Sequence, residues 1–416
     1  MHVDSRPASR YMRIPRRAVA ALLVLPLLGG CAAAVPIGAQ VQGAVAAAVR
    51  GSDPEPLVIA DPGTGSGSVV SAETMPNLPV QVRLSGVHAA RVVYRSSQTD
   101  AGEREVSGTV FTPDGDAPDG GWPIISYAHG TTGIEQECAP SKSGSLLGAA
   151  ALVQGFTAAG FAVAITDYEG LGHAGHHAYL DNITAGYDVI DAVRALRTVF
   201  PSVGTRWAAF GGSQGGGAAW AANELAATYA PELDLVGAVA LAPAANMVGL
   251  VDKAAAGTLT TDQGPLLQWV LESWARRDPS VNLDDYRSGT AAQDWIALSG
   301  CTPDRAGARD DAVKQLGDND FAPTSPAAAA TLRDELASMA VPQGPASGPM
   351  LVAYGDSDTY IDAAWTDDAL ARACALGDVI TIDRQAGRGH GDVNGDAVTQ
   401  WLADRFAGTS AHNDCG

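Results

Sequence analysis

The stretch WAAFGGSQGGGAAWAAN, residues Trp207 to Asn223, predicts a strand, a sharp turn and a helix in immediate succession. Its apolar run WAAF suits a short buried strand, and the Ala-rich segment after the glycines favours a helix. Ser213 stands on the turn, where only small neighbours such as Gly211 and Gly215 tolerate the crowding. This order is typical of a nucleophile elbow, whose helix N-terminus favours negative charge beside the serine. The alternative is the Gly-rich turn of a nucleotide-binding fold.

Short apolar runs alternate with helical segments on both sides of this stretch, which predicts an α/β fold with a mostly parallel sheet flanked by helices. The alternation stops between residues 246 and 348, where only helical segments are predicted, and we interpret this part as a helical cap insertion. The predicted runs are Pro123–Ala128, Phe161–Thr166, Trp207–Phe210, Leu235–Leu241, Pro349–Tyr354 and Val379–Asp383.

The first 31 residues have the features of an export signal. A basic segment precedes the apolar run Ala18–Leu28, which is too short to span a bilayer. The run ends in Gly29-Gly30-Cys31, which resembles a bacterial lipobox with Cys31 as the lipidated residue. We therefore expect a lipid-anchored membrane protein outside the cytoplasm, with ordinary cleavage near Ala32–Ala34 and secretion as the alternative. Residues 32–71 are expected to form a flexible linker, and residues 72–416 the folded domain.

The charge of the chain argues against nucleic acid as a partner, and its cysteines and histidines argue against a metal site. The chain has 26 basic and 46 acidic residues, a formal charge of −20, which argues against nucleic acid binding. Besides Cys31 there are four cysteines, and in an exported chain they suggest two disulfides with three possible pairings. No CxxC spacing occurs, and the three histidines between 173 and 177 fall in a Gly-rich loop, so we expect surface histidines and no metal site. The four cysteines are Cys138, Cys301, Cys374 and Cys415.

A serine nucleophile needs a histidine base and an acid that orients the histidine. In nucleophile-elbow enzymes they follow the serine in the order acid, then histidine. Only His390 and His412 follow Ser213, and His412 lies in a polar tail, so His390 is predicted as the base. The acid is sought among the aspartates of the loop GDSDTYID, Gly355–Asp362. Asp358 is favoured, because Asp356 suits its own turn and Asp362 suits a helix N-cap.

Several motifs together resemble the secretory lipase family of α/β-hydrolases, which comprises fungal lipases and their exported bacterial relatives. They span Tyr94 to His390, and the GGSQGG, GDSD and GRGH segments carry Ser213, Asp358 and His390. The others are YRS (Tyr94–Ser96), SYAHGTTG (Ser126–Gly133), CAPS (Cys138–Ser141) and DYEGLG (Asp167–Gly172).

The resemblance implies specific roles for these residues. It implies Ser213 as nucleophile, Asp358 as acid and His390 as base, a helical cap at 246–348, and the disulfides Cys138–Cys301 and Cys374–Cys415. An aliphatic–Pro pair usual after the acid appears here as Ile361–Asp362, which keeps Asp362 as a rival acid. The loop after Ala128 is expected to supply one N–H of an oxyanion hole, from Gly130 or Thr131, and Gln214 the other.

The sequence thus predicts a serine carboxylic-ester hydrolase, of the carboxylesterase or triacylglycerol lipase type, that needs no cofactor and acts on an ester or lipid. An acyltransferase or peptidase with the same triad is one alternative, and a catalytically silent surface lipoprotein is another. Apolar residues of the cap form either its own core or an acyl-chain pocket that would favour acyl groups longer than acetyl. They are Leu266, Leu267, Trp269, Val270, Leu271 and Trp274.

Overall fold

A computed structural model of the chain describes residues 53–98 and 102–416. The predicted signal segment and Cys31 lie outside the described residues. Nine strands form one sheet in the order β1-β2-β3-β5-β4-β6-β7-β8-β9. The strands are β1 (Val69–Thr74), β2 (Val87–Gln98), β3 (Gly102–Pro113), β4 (Trp122–Ala128), β5 (Ala162–Thr166), β6 (Val203–Gly212), β7 (Asp234–Leu241), β8 (Met350–Gly355) and β9 (Ile380–Gln385).

The sheet is mostly parallel, as predicted. β5, β4, β6, β7, β8 and β9 run parallel to one another, while β1, β2 and β3 form an antiparallel edge that joins the rest through β5. In α/β sheets of this kind, functional loops lie at the carboxyl ends of the strands. Because β6 lies between β4 and β7 near the middle, the turn after β6 is surrounded by the loops that follow its neighbours.

Twelve α-helices accompany the sheet within the described residues. Before β8 they are α1 (Val80–Arg83), α2 (Ala150–Ala158), α3 (Asn182–Val199), α4 (Gln214–Tyr229), α5 (Gly249–Ala256), α6 (Gln263–Arg277), α7 (Gly289–Gln293), α8 (Trp295–Leu298), α9 (Pro303–Val313) and α10 (Pro326–Met339). After β8 they are α11 (Ala363–Leu376) and α12 (Asp396–Phe406). Single turns of 3₁₀ helix lie at Gln136–Cys138, Pro140–Lys142, Leu146–Gly148 and Leu283–Asp285.

Helices cover both faces of the sheet. Successive side chains of a strand point to opposite faces, and here both faces are apolar. In β8, Met350 and Val352 point into the hydrophobic cluster that also contains α3 and α4, whereas Leu351 and Ala353 point into the cluster that contains α2 and α12. Every residue of β8 is buried. The apolar runs of the sequence are therefore strands buried on both faces, which explains why they lack the polar–apolar alternation of exposed sheets.

The segment between β7 and β8 consists of helices α5 to α10, and we refer to residues 246–348 as the cap. The cap has a hydrophobic cluster of its own, separate from the two clusters on the sheet. The loops after β5 and β8 contribute Tyr179 and Ile361 to the cap's cluster. The cap therefore packs directly on these loops of the sheet domain. Between residues 283 and 298 the cap consists of a 3₁₀ turn and the two short helices α7 and α8.

The expectation of a flexible linker from 32 to 71 is wrong for its described end. The Leu57 N–H donates to the Ala72 carbonyl at 2.8 Å, and the Thr74 N–H donates to the Glu55 carbonyl at 2.9 Å. This stretch therefore pairs along the outer edge of β1, and β1 itself begins at Val69. Its Pro, Gly and Ser content suggested a tether, but backbone pairing to an edge strand places little demand on side chains.

None of the helices within residues 53–98 and 102–416 has both the length and the hydropathy required to span a bilayer.

Candidate active site

Ser213 lies between the end of β6 and the start of α4, in the strained turn that the sequence predicts. Its backbone has φ 57° and ψ −122°, a region that non-glycine residues rarely adopt. The turn is held by the Ser213 N–H, which donates to the Leu241 carbonyl of β7 at 2.8 Å. A Cβ added to Gly215 would lie 1.9 Å from the Ala128 carbonyl oxygen, so α4 approaches β4 more closely than any side chain permits.

His390 connects Ser213 to Asp358 through two short hydrogen bonds. The His390 Nε2 lies 2.9 Å from the Ser213 Oγ, and its Nδ1 lies 2.7 Å from the Asp358 Oδ2. A carboxylate only accepts, so Nδ1 carries the proton and Nε2 accepts from the serine hydroxyl. The Asp358 side chain is 2 % exposed and that of His390 12 %, which shields the arrangement from bulk water.

The acid loop after β8 and the histidine loop after β9 are bonded to each other. The Ser357 N–H donates to the Arg388 carbonyl at 2.9 Å, and the Gly387 N–H donates to the Asp356 Oδ1 at 2.7 Å. The other oxygen of Asp358 accepts from two backbone N–H groups within its own loop, at 2.8 and 3.0 Å. Asp356 therefore holds the histidine loop, while Asp358 faces His390.

Asp362 is engaged elsewhere. Both of its carboxylate oxygens accept from the Lys253 ammonium at 3.0 Å, and its Oδ1 also accepts from the Gln263 amide at 2.8 Å. Thr359 in the same loop donates to the Asp262 carboxylate at 2.7 Å. The cap thus contacts the acid loop, and Asp362 belongs to that contact rather than to the histidine.

Gln214 and Gly130 flank Ser213 from two sides. Gln214 is the first residue of α4, and the first N–H groups of a helix have no carbonyl partner within it. A Cβ added to Gly130 would lie 3.9 Å from the Ser213 Cβ, so the loop after β4 passes directly beside the serine. Next in that loop, the Thr131 hydroxyl lies 2.9 Å from the Tyr179 hydroxyl. The start of α4 and the loop after β4 therefore both lie beside Ser213.

His129, which precedes Gly130, is a buried residue whose side chain contacts the backbone of its own loop. It is 4 % exposed, and its Nδ1 lies 2.7 Å from the Gly130 carbonyl. The Tyr168 hydroxyl donates to the His129 carbonyl at 2.8 Å, which further holds this loop in place. Burial lowers the pKa of His129, so the ring remains uncharged.

The prediction of three surface histidines between 173 and 177 is wrong for His177. His173 is partly exposed and lies 3.1 Å from the Glu105 carboxylate, and His176 is exposed. His177 is 2 % exposed, and its Nε2 lies 3.0 Å from the Gln214 side-chain amide. No local sequence pattern indicates this burial, because it results from the packing of the cap and α4 on the loop.

Among the described residues, no three His, Cys, Asp or Glu side chains are grouped to hold a metal ion.

Both predicted disulfides are confirmed. Cys138 is bonded to Cys301, and this bridge joins the segment that follows the loop after β4 to the cap. Cys374 in α11 is bonded to Cys415, and the C-terminal tail then pairs with β9 through the Asp414 N–H and the Ile380 carbonyl at 2.8 Å. A Cβ at Gly133 would lie 2.4 Å from the Cys138 Sγ, so the first bridge packs against the loop beside Ser213.

The apolar residues of α6 belong to the core of the cap. Leu267 and Leu271 are inaccessible to solvent, and Trp274 is 8 % exposed. Trp269 is partly buried, donates from its Nε1 to the Leu298 carbonyl at 3.1 Å, and lies under the Arg309 guanidinium. Of the two sequence alternatives, the structure therefore supports cap core, and these side chains do not support an acyl-chain pocket.

Comparison with known proteins agrees with this architecture. Residues 144–296 match the model of the Secretory lipase family. The chain is also similar to a protein of Mycobacterium tuberculosis (strain CDC 1551 / Oshkosh) named "Probable inactive lipase". The two are 26% identical over 349 residues, which cover 77% of this chain and 74% of the relative.

Solved structures of two enzymes share the fold. Lipase A of Candida antarctica in its closed state is similar with a TM-score of 0.66 and 18% identity, over 85% of each chain. The rice cell wall degrading esterase LipA from Xanthomonas oryzae gives a TM-score of 0.61 and 18% identity, over 82% of this chain and 96% of the esterase. The predicted fold is confirmed: the chain has an α/β-hydrolase fold, and its residues 144–296 match the Secretory lipase family.

Proposed function

We propose that the protein is a serine carboxylic-ester hydrolase, of the carboxylesterase or triacylglycerol lipase type, that works through an acyl-enzyme. The observation that carries this proposal is the continuous hydrogen-bonded chain from Ser213 through His390 to Asp358, with distances of 2.9 and 2.7 Å. The lipase-type fold and the Secretory lipase match support an ester as the substrate.

In the first half of the reaction, the Ser213 Oγ attacks the ester carbonyl carbon while His390 Nε2 takes the hydroxyl proton. Asp358 keeps Nδ1 protonated and stabilises the imidazolium that forms. The oxyanion accepts hydrogen bonds from the Gln214 N–H and from an N–H of Gly130 or Thr131. Collapse expels the alcohol, which receives the proton from His390, and leaves the acyl group on Ser213.

Water then attacks the acyl-enzyme, with His390 again as the base, and the carboxylic acid leaves. The chemistry uses only side chains and backbone donors of this chain and requires no cofactor. The two disulfides and the Secretory lipase match indicate a location outside the cytoplasm. We propose that Cys31 carries a lipid that holds the enzyme on the membrane.

A fluorophosphonate probe and a panel of p-nitrophenyl esters test the proposal. The wild-type protein should be labelled at Ser213 and should hydrolyse esters, whereas Ser213→Ala should do neither while keeping its fold. One relative carries the word "inactive" in its name, and an unlabelled wild type would favour a catalytically silent protein for this chain as well. Labelling without ester hydrolysis, but with transfer to an alcohol or cleavage of an amide, would favour an acyltransferase or a peptidase.

A further inference from the structure

His177 forms a buried pair with Gln214, the residue that follows Ser213 in the chain. The Gln214 side-chain amide lies 3.0 Å from the His177 Nε2, and each of the two residues is 2 % exposed. The reaction proposed above uses only the backbone N–H of Gln214. That reaction therefore assigns no role to the Gln214 side chain or to His177.

Hydrogen bonding fixes the direction of this contact. The His177 Nδ1 lies 3.0 Å from the Glu169 carbonyl oxygen, which only accepts, so Nδ1 carries the proton. His177 Nε2 is then an acceptor, and the Gln214 amide donates to it. Burial lowers the pKa of His177 to about 3, so the ring stays neutral and this direction persists at every pH used to assay esters.

The loop at Tyr168 and Glu169 holds the His177 ring, and the cap holds the His177 backbone. It stacks on the Tyr168 ring at a centroid distance of 5.9 Å, and its Nδ1 is bound by the Glu169 carbonyl. The Ser273 hydroxyl of α6 donates to the His177 carbonyl and accepts from the Tyr179 N–H at 2.9 Å. Ser273 of the cap therefore fixes the backbone of His177, and the His177 side chain in turn binds Gln214.

We propose that His177 is a positioning residue of the oxyanion hole. It does not touch the substrate; it anchors the side chain of Gln214 and thereby fixes the backbone N–H of the same residue beside the Ser213 Oγ. This inference rests on the proposed function, because an oxyanion hole matters only if Ser213 attacks a carbonyl. Without the histidine acceptor, a buried amide loses its partner and reorients, and the first residue of α4 moves with it. Small displacements of such donors weaken transition-state stabilisation far more than substrate binding.

The test compares His177→Phe with His176→Phe, which places the same ring at the exposed neighbouring position. For His177→Phe, kcat for a p-nitrophenyl ester should fall about 10- to 100-fold, with KM within about twofold. Affinity for a trifluoromethyl ketone, which adds to Ser213 and forms an oxyanion, should fall by a similar factor. His176→Phe should match the wild type in all three measurements.

Two polar variants separate positioning from a general loss of packing. His177→Gln carries an amide oxygen long enough to reach Gln214 and should recover most of kcat. His177→Asn is one methylene shorter, keeps a donor for the Glu169 carbonyl, and should remain as slow as His177→Phe. If His177→Phe does not fold, the comparison of His177→Gln with His177→Asn tests the proposal on its own.

Unchanged kcat in His177→Phe, or equal kcat in the Gln and Asn variants, would overturn the positioning role while leaving the proposed function intact. A wild type that neither hydrolyses esters nor reacts with a fluorophosphonate would overturn the function itself, and all the variants would then be equally silent.

Discussion

Lys253 of the cap donates to both carboxylate oxygens of Asp362 at 3.0 Å, and this pairing separates the two aspartates that competed for the role of triad acid. Asp358, four residues earlier, faces His390 at 2.7 Å. One short loop therefore serves two partners, the histidine loop on one side and the cap on the other. At the sequence departure Ile361–Asp362, the aspartate side chain contacts the cap.

Replacing Asp358 by Asn should lower kcat about 10⁴-fold, because the amide would favour the wrong tautomer of His390. The matched control is Asp362→Asn, which weakens the contact with Lys253 and should change kcat less than about tenfold. Steady-state kinetics on one p-nitrophenyl ester measures both. If Asp362→Asn proved the slower enzyme, the assignment of the acid would be wrong.

The two disulfides should contribute different amounts of stability. Cys138 and Cys301 are 163 residues apart in sequence, and Cys374 and Cys415 are 41 apart. Loop entropy gives upper values of about 5 and about 4 kcal/mol for the two bridges. We expect the Cys138→Ser/Cys301→Ser variant to lose more stability in urea titrations than the Cys374→Ser/Cys415→Ser variant. The reverse order would show that native-state contacts of the tail outweigh loop closure.

Much of the site was predictable because its local geometry requires particular residues. Gly211 and Gly215 must be small beside the strained Ser213, and the scarcity of histidines after Ser213 left His390 as the predicted base. His177 was missed because its burial depends on the cap and α4, which no pattern near residue 177 reports. The pairing of Leu57 with Ala72 was missed for a similar reason, since backbone pairing leaves no mark in the composition.

The cap residues show the other limit of sequence reasoning. An apolar stripe on a helix is compatible with a core or with a ligand pocket, because both are lined by the same side chains. Leu267 and Leu271 turned out to be buried within the cap. Only the positions of the neighbouring helices decide between these alternatives.

Glu224 should make stability depend on pH. Burial raises its pKa to about 7, although its Oε2 accepts from the Gln343 and Gly344 N–H groups at 2.9 and 3.2 Å. The pKa of Glu224 is higher in the folded protein than in the unfolded chain. Its protonation therefore contributes fully to the free energy of unfolding below about pH 4.5, and this contribution is lost as pH rises through 7. Glu224→Gln stays neutral, so its Tm relative to wild type should rise between pH 5 and pH 8.

Glu232→Gln is the control for this measurement. Partial burial raises the pKa of Glu232, but the hydrogen bond from Arg194 at 2.7 Å, a backbone hydrogen bond and the charges of Arg194 and Arg197 together lower it below its usual value. Its Tm difference from wild type should therefore be the same at pH 5 and pH 8. A Glu224→Gln difference that is equally flat would contradict the assigned titration.

The proposed lipid on Cys31 predicts where the protein is found in a bacterial host. The wild type should partition into the detergent phase with membranes, and Cys31→Ala should be released or mislocalised, because acyl chains supply the affinity for the bilayer. Phase separation followed by immunoblotting measures this. Recovery of a fully water-soluble wild type with an N-terminus at Ala32 or later would contradict the anchor.

The disulfide pattern also bears on the order in which the protein matures. After Cys31, the cysteines occur in the order Cys138, Cys301, Cys374 and Cys415, and each bridge joins neighbours in that order. A chain that crosses a membrane N-terminus first presents its thiols to an oxidase in this same sequence. Oxidation in order of emergence then yields the native pairs directly, without an isomerase to reshuffle them.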